Sequence, residues 1–229
     1  MNCCKAMKNT IMVFILGLVV AVKGQGFVNL NFERAGNPSN QATTNLIPGW
    51  TAYLNGISQT YVGYDDVSLG AGAVWLYDTN SGTGYATPQG KYFVYLQGGY
   101  KNGGSPAIGQ TGTIPVGSQS IYFWGVDGDM TITFNGFLLA FFKYNSTPNY
   151  DIWAADVSAY AGQTGELRFT APDGNAFNDG NPFGANGLID NIQFSSSPVP
   201  EPQAAVLGVL GVLLFLLRRM FHASCKLMD

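Results

Sequence analysis

The sequence predicts an all-β fold, a sandwich or barrel, on three observations. Short apolar and aromatic segments are punctuated by turns, with 30 glycines and 14% aromatic residues in 229. No window of the central region repeats its apolar residues at the spacing of a long amphipathic helix. Between Gln25 and Pro198, ten of the twelve acidic residues are Asp, a turn former that disfavours helix interiors. Many short strands with frequent turn signals describe a sandwich or barrel, and no internal repeat breaks the pattern.

The elements follow in order. Residues 1–24 read as a secretory signal. Lys5 and Lys8 form a basic start, Ile11 to Val22 is free of charge, and Val22-Lys23-Gly24 offers a small residue for cleavage before Gln25. The alternative is an uncleaved anchor, for which the apolar run is short against the roughly 20 residues of a span.

Residues 25–195 form the β body. Val74 to Tyr77, Tyr92 to Leu96 and Ile121 to Trp124 read as strands. Met130 to Phe134 alternates apolar residues with threonine, a half-buried strand. Asn135-Gly136 then reads as a two-residue hairpin turn into Phe137 to Tyr144. Leu167 and Phe169 alternate with polar residues, and Leu188 to Phe194 closes the body. Asp127-Gly128-Asp129, between two strands, reads as a hairpin turn. Asp65-Asp66 are adjacent and so face opposite ways on a strand. Asp173 to Asn181 reads as a solvated polar loop, and Asn145-Ser146-Thr147 as a surface loop.

Composition excludes whole classes of function. Charged residues are 11% of the chain, where about 25% is usual. The body carries five basic against twelve acidic residues, a net charge of −7. No basic run is present to displace phosphate counterions, so no nucleic-acid partner is expected. Cys3, Cys4 and Cys225 all lie in the end segments, as does the single histidine, His222. The body therefore has no disulfide, no Ser-His-Asp triad, no Cys-His pair and no Cys/His zinc site. Carboxylate-only chemistry, as in most glycosidases, is the main enzymatic class left.

The C-terminal end has three parts: a polar spacer over 196–202 ending in Val199-Pro200-Glu201-Pro202, the apolar run Ala204 to Leu217, and Arg218-Arg219. A helix over 203–221 is expected to insert in the membrane. Its fourteen-residue charge-free run reaches about 21 Å, so flanking residues and snorkelling arginines must extend it. Residues 222–229 would remain cytoplasmic with the basic end. This order and spacing resembles the PEP-CTERM sorting signal of exported proteins of Gram-negative bacteria. The resemblance implies export, transient retention in the inner membrane, recognition by an exosortase near Pro200-Glu201-Pro202, and delivery to the cell surface or extracellular matrix. The tail Phe221 to Asp229 is longer than that family usually carries. A plain, permanent C-terminal anchor is the alternative.

The body carries a second resemblance. Phe27 to Glu33 with Ile47-Pro48-Gly49-Trp50 downstream, Asp156 to Phe169, and Leu188 to Ile192 together resemble a galactose-binding-like jelly roll and carbohydrate-binding modules of that shape. In the closing strand Leu188, Asp190, Ile192 and Phe194 share one parity, so a core-facing strand would bury Asp190. A buried carboxylate needs a cation or several donors. The resemblance places a structural calcium on the closing Asp and the early Glu, here Asp190 and Glu33; hydrogen bonding of Asp190 to backbone amides is the alternative. Sugar contact would need aromatic platforms. Trp50, Tyr100 and Trp153 are the candidates, with Trp75, Tyr144 and Tyr150 behind them.

The function expected from the sequence is an exported, non-catalytic surface or matrix protein, a candidate binder of extracellular polysaccharide. A carboxylate-dependent enzyme on such polysaccharide is the alternative, and would need two carboxyls roughly 5–9.5 Å apart in a cleft.

Overall fold

A computed structural model describes residues 26–35, 46–65, 72–79, 87–99, 103–126, 130–174 and 186–199. The expected signal, the sorting helix and its arginines, and all but Val199 of Val199-Pro200-Glu201-Pro202 lie outside them. Among the described residues no helix is long and apolar enough to cross a membrane.

The described residues form thirteen strands: β1 Thr51–Leu54, β2 Ile57–Gln59, β3 Gly63–Tyr64, β4 Ala73–Asp78, β5 Tyr92–Gln97, β6 Pro106–Thr113, β7 Ser120–Val126, β8 Thr131–Phe134, β9 Phe137–Leu138, β10 Phe141–Ser146, β11 Asp151–Asp156, β12 Thr164–Thr170 and β13 Asn186–Ser195. A six-stranded sheet runs β2-β1-β6-β12-β8-β9, and a seven-stranded sheet runs β10-β11-β7-β13-β5-β4-β3. Every pairing is antiparallel except β3 with β4. The fold is an all-β sandwich, as the sequence predicts.

Alternation sets which side chains meet between the sheets. On β12, Leu167 and Phe169 are fully buried while Glu166, Arg168 and Thr170 are only half-buried. Ile121 and Phe123 of β7 and Ile132 and Phe134 of β8 meet them, with Phe123 and Phe169 edge to face. Each such aromatic contributes about 2–3 kcal/mol by burial. In a chain without body cysteines, this layer does the work that disulfides do in many small exported domains.

The seven-stranded sheet is apolar on its outer face too. Trp75, Tyr77, Phe93, Tyr95 and Leu188 form a second buried cluster, separate from the core. Gly63 is small because Trp75 lies across it; a Cβ there would sit 1.9 Å from the ring. Strands β4 and β5 thus read as unbroken apolar runs, the pattern of a sheet buried on both faces.

Two expectations about connections are corrected. Asn135 and Gly136 do form a two-residue hairpin turn, with φ of 51° and 79°, and Phe137 pairs with Phe134. The returning strand, however, stops at Leu138, and the chain then crosses to the other sheet as β10. Asp127-Gly128-Asp129 lies outside the described residues, and β7 and β8 on either side of it lie in different sheets, so these two strands do not form the expected hairpin. Asn145 and Ser146 belong to edge strand β10 rather than to a loop, although both are exposed.

The opening segment is not a strand. Gly26 makes one bridge to Thr113, and the chain then turns through Asn29 and Phe32, both at positive φ. The Gln110 side chain replaces a strand partner by accepting from Val28 N–H and donating to its carbonyl. Phe27 stacks on Phe194, and Ile192 N–H donates to the Leu30 carbonyl. The first and last described segments of the body are thereby held together without a covalent link.

Candidate functional site

The two carboxylates singled out in the sequence converge on one segment, the residues leading into β5. Glu33 Oε1 accepts from Lys91 N–H at 2.7 Å and from Tyr92 N–H at 3.0 Å. Asp190 Oδ2 accepts from Gln89 N–H at 3.0 Å, and Oδ1 from Asn191 N–H at 2.6 Å. Gly90, at φ 65°, lies against the Glu33 carboxylate; a Cβ there would be 2.3 Å from Oε1. The pair forms a clamp that fixes the approach to a central strand.

Asp190 is fully buried, but not for the reason that strand parity suggested. Its partner across the ladder is Trp124, and Leu188, two residues earlier, belongs to the outer cluster. Asn191, at φ 46°, is the extra residue of a bulge between Asp190 and Gln193, which returns Ile192 and Phe194 to the core. Burial pushes the Asp190 carboxyl up to about 8; the Asn191 and Gln89 N–H groups oppose that shift and the Glu33 charge adds to it. A carboxyl driven this far is one that a divalent cation would return to its charged form. The donor set is hard oxygen, which suits calcium. Among the described residues no group of three or more His, Cys, Asp or Glu sits together, so a cation here would have these two side chains and backbone carbonyls.

The aromatic candidates separate. Trp50 packs in the core against Phe32 and Phe169, and its indole N–H donates to the Asn29 carbonyl at 3.1 Å. With 4% of its surface exposed, it offers no face to a ligand. Trp75 is buried in the outer cluster. Trp153 is half-buried on β11, next to the edge strand, edge-on to Phe141, with Lys143 Nζ 5.5 Å from its ring centre. Tyr100 lies outside the described residues.

Two groupings were missed in the sequence. On the outer face of the six-stranded sheet, Tyr53 OH donates to Glu166 Oε1 at 2.8 Å, and Arg168 pairs with Glu166 at 2.9 Å. The Arg168 guanidinium stacks 3.9 Å from the Tyr53 ring centre. Gly109 makes room, since a Cβ there would be 2.6 Å from Glu166 Oε1. The alternation of β12 signalled that Glu166 and Arg168 share a face, but Tyr53 is 113 residues away from Glu166. The other grouping adds Tyr122 and Trp124 to the expected Tyr144 and Tyr150. Tyr122 meets Tyr144 edge to face at 5.3 Å, and Trp124 stacks on Tyr150 at 5.1 Å. Alternation along β7 places Tyr122 and Trp124 opposite the core-facing Ile121 and Phe123.

No protein-family model matches the chain, and no curated protein matches it. Among solved structures it is similar to the K2 cleaved adhesin domain of Lys-gingipain, at 10% identity and a TM-score of 0.43, over 72% of this chain and 96% of that one. It is also similar to the enzymatically active domain of tailspike protein 4 of bacteriophage CBA120, at 12% identity and a TM-score of 0.35. That match covers 72% of this chain and 21% of the tailspike chain.

Proposed function

We propose that the chain is an exported, non-catalytic surface or matrix protein with a galactose-binding-like jelly-roll body that binds extracellular carbohydrate. Its C-terminal end is the sorting device: Val199-Pro200-Glu201-Pro202 is the exosortase recognition segment, and Arg218 and Arg219 hold the helix against the cytoplasmic side until processing. One observation carries the non-catalytic reading. The two carboxylates that converge in the fold, Glu33 and Asp190, both bind backbone N–H groups, and Asp190 has no exposed surface on which a substrate could rest. They serve as a structural clamp, and calcium is its cation.

The purified full-length protein, screened on a polysaccharide array with a parallel reducing-sugar assay, is expected to bind without releasing sugar. Release abolished by Asp190→Asn would replace this reading with carboxylate-dependent hydrolysis. Mass spectrometry of the cell-surface form is expected to find the chain cut near Pro200-Glu201-Pro202; an intact C-terminal helix there would identify a permanent anchor instead.

A further inference from the structure

We infer that the outer face of β7, β10 and β11 is the carbohydrate-binding strip, and that its ligand is an uncharged polysaccharide of which two or three sugar rings are held. The inference rests on the carbohydrate-binding reading above and assigns it a place. Tyr122, Trp124, Tyr144 and Tyr150 stand together on this face, joined pairwise by their rings. Tyr144 is 46% exposed, and the other three are half-buried. Ile152 lies opposite Trp124 and the exposed Gln193 opposite Tyr122, so apolar and amide groups border the rings.

The polar tips of these rings are accessible, whereas the indole N–H groups of Trp75 and Trp153 are buried without a partner. Among the described residues, none of the three hydroxyls nor the Trp124 indole N–H is hydrogen-bonded, and none is buried without a partner. Buried Tyr and Trp normally pair their polar ends, as Trp50 does with the Asn29 carbonyl. Here flat apolar ring faces and available donors lie side by side. A pyranose ring presents the matching surface, with C–H groups on its faces and hydroxyls at its rim.

Charge and area select the ligand. Lys143 points to the opposite face, where it pairs with Asp151. Asp190, nearest in register to Trp124, is fully buried. Asp156, at the far end of β11, is turned to Ser158 N–H at 2.8 Å. On this face no cation among the described residues is present to attract a uronate. At 150–250 Å² for each whole aromatic side chain, the four together expose roughly 100–400 Å². A stable protein interface needs roughly 800 Å² from each partner. The strip is thus too small for a second copy of the chain and large enough for a short run of sugar.

Affinity electrophoresis of the full-length protein in gels containing galactomannan, xyloglucan or polygalacturonate tests the assignment. Retardation by at least one neutral polymer is expected, insensitive to salt and weakened roughly 3- to 10-fold in Tyr144→Ala. Trp124→Ala should weaken it more. Phe137→Ala, exposed on β9 of the other sheet, should bind as wild type. A thermal melt of each variant checks folding, and Tyr144, at 46% exposure, is the substitution that leaves packing least disturbed. Wild-type binding undiminished in both Tyr144→Ala and Trp124→Ala would overturn the strip while leaving carbohydrate binding intact. Binding to polygalacturonate alone would overturn it as well. So would an oligomer that dissociates in Tyr144→Ala. Retardation by none of the three polymers, nor by any polysaccharide on the array, would defeat the underlying reading and the strip with it.

Discussion

Stability should fall as pH rises through neutrality when the protein is free of calcium, and Asp190 should be the cause. Its carboxyl is held at about 8 in the folded protein against an ordinary value of 3.8. Between those values the native state keeps a proton that the unfolded chain has lost. Since the folded state binds more protons, unfolding free energy decreases with pH; the contribution is complete below about 4 and gone above about 8. Each unit is worth about 1.4 kcal/mol, so the span from pH 5 to pH 8 amounts to roughly 4 kcal/mol. For a body of this size that is a drop on the order of 10 °C in Tm. The window is clean, because the sequence puts neither histidine nor cysteine between Gln25 and Pro198. Asp151 and Asp156 act elsewhere: Lys143 and Ser146 hold the first below the usual carboxylate range, and Ser158 holds the second there. Their contributions are present above about pH 4 and are lost on acidification. The assay is differential scanning fluorimetry of wild type and Asp190→Asn in EDTA from pH 5 to pH 9, repeated with excess calcium. Wild type should slope downward, the variant should be nearly flat, and calcium should remove the wild-type slope by binding the charged form. A flat wild-type profile in EDTA, or the same slope in Asp190→Asn, would refute the buried neutral carboxyl. A calcium-induced rise in Tm that is equal in Asp190→Ala would refute the cation.

Three further outcomes follow from the packing. Gly90→Ala should lose roughly 2–4 kcal/mol in denaturant unfolding, because it combines a left-handed backbone with displacement of the Glu33 carboxylate from two N–H groups; Glu33→Ala should recover little when added to it. Phe169→Ala, which empties a fully buried site between Trp50 and Phe123, should cost about 3–5 kcal/mol. Asp151→Asn should change stability by less than about 1 kcal/mol, since its 2.7 Å pair with the half-exposed Lys143 is screened by solvent at the sheet margin.

The absence of body cysteines makes closure of the sandwich a matter of contacts between distant segments. Gln110 bonds Val28 across 82 residues, Gln89 bonds Asp190 across 101, and Tyr53 bonds Glu166 across 113. Each contact must close a long loop before it stabilises anything. Strand β13 joins the two halves of the seven-stranded sheet, pairing with β7 on one side and β5 on the other. The clamp on the segment before β5 and the bulge at Asn191 act on this same strand. The strand that carries the titrating carboxyl also lies beside Trp124.

Where one face is wet and the other dry, alternation was readable in the sequence, and β8 and β12 were found with their core residues. Where both faces are dry it was not: β4 and β5 gave their positions but hid the outer cluster. Convergence of Glu33 and Asp190 was legible only through resemblance to a known fold, because no local pattern links residues 157 positions apart. The parity argument for Asp190 failed at a single residue. Asn191 takes a left-handed backbone, a conformation Asn tolerates because its short amide can satisfy nearby backbone groups. Asp-Asn in an otherwise apolar strand was the available sign of a bulge. Tyr122 and Trp124 escaped notice for a related reason. In Ile121-Tyr122-Phe123-Trp124 all four residues are apolar enough for a core, and only the partner strand decides which pair faces water. Aromatic alternation thus marks a strand without marking its faces; the faces appear when pairing supplies neighbours, here Ile121 and Phe123 toward Phe169, and Tyr122 and Trp124 toward Tyr144 and Tyr150.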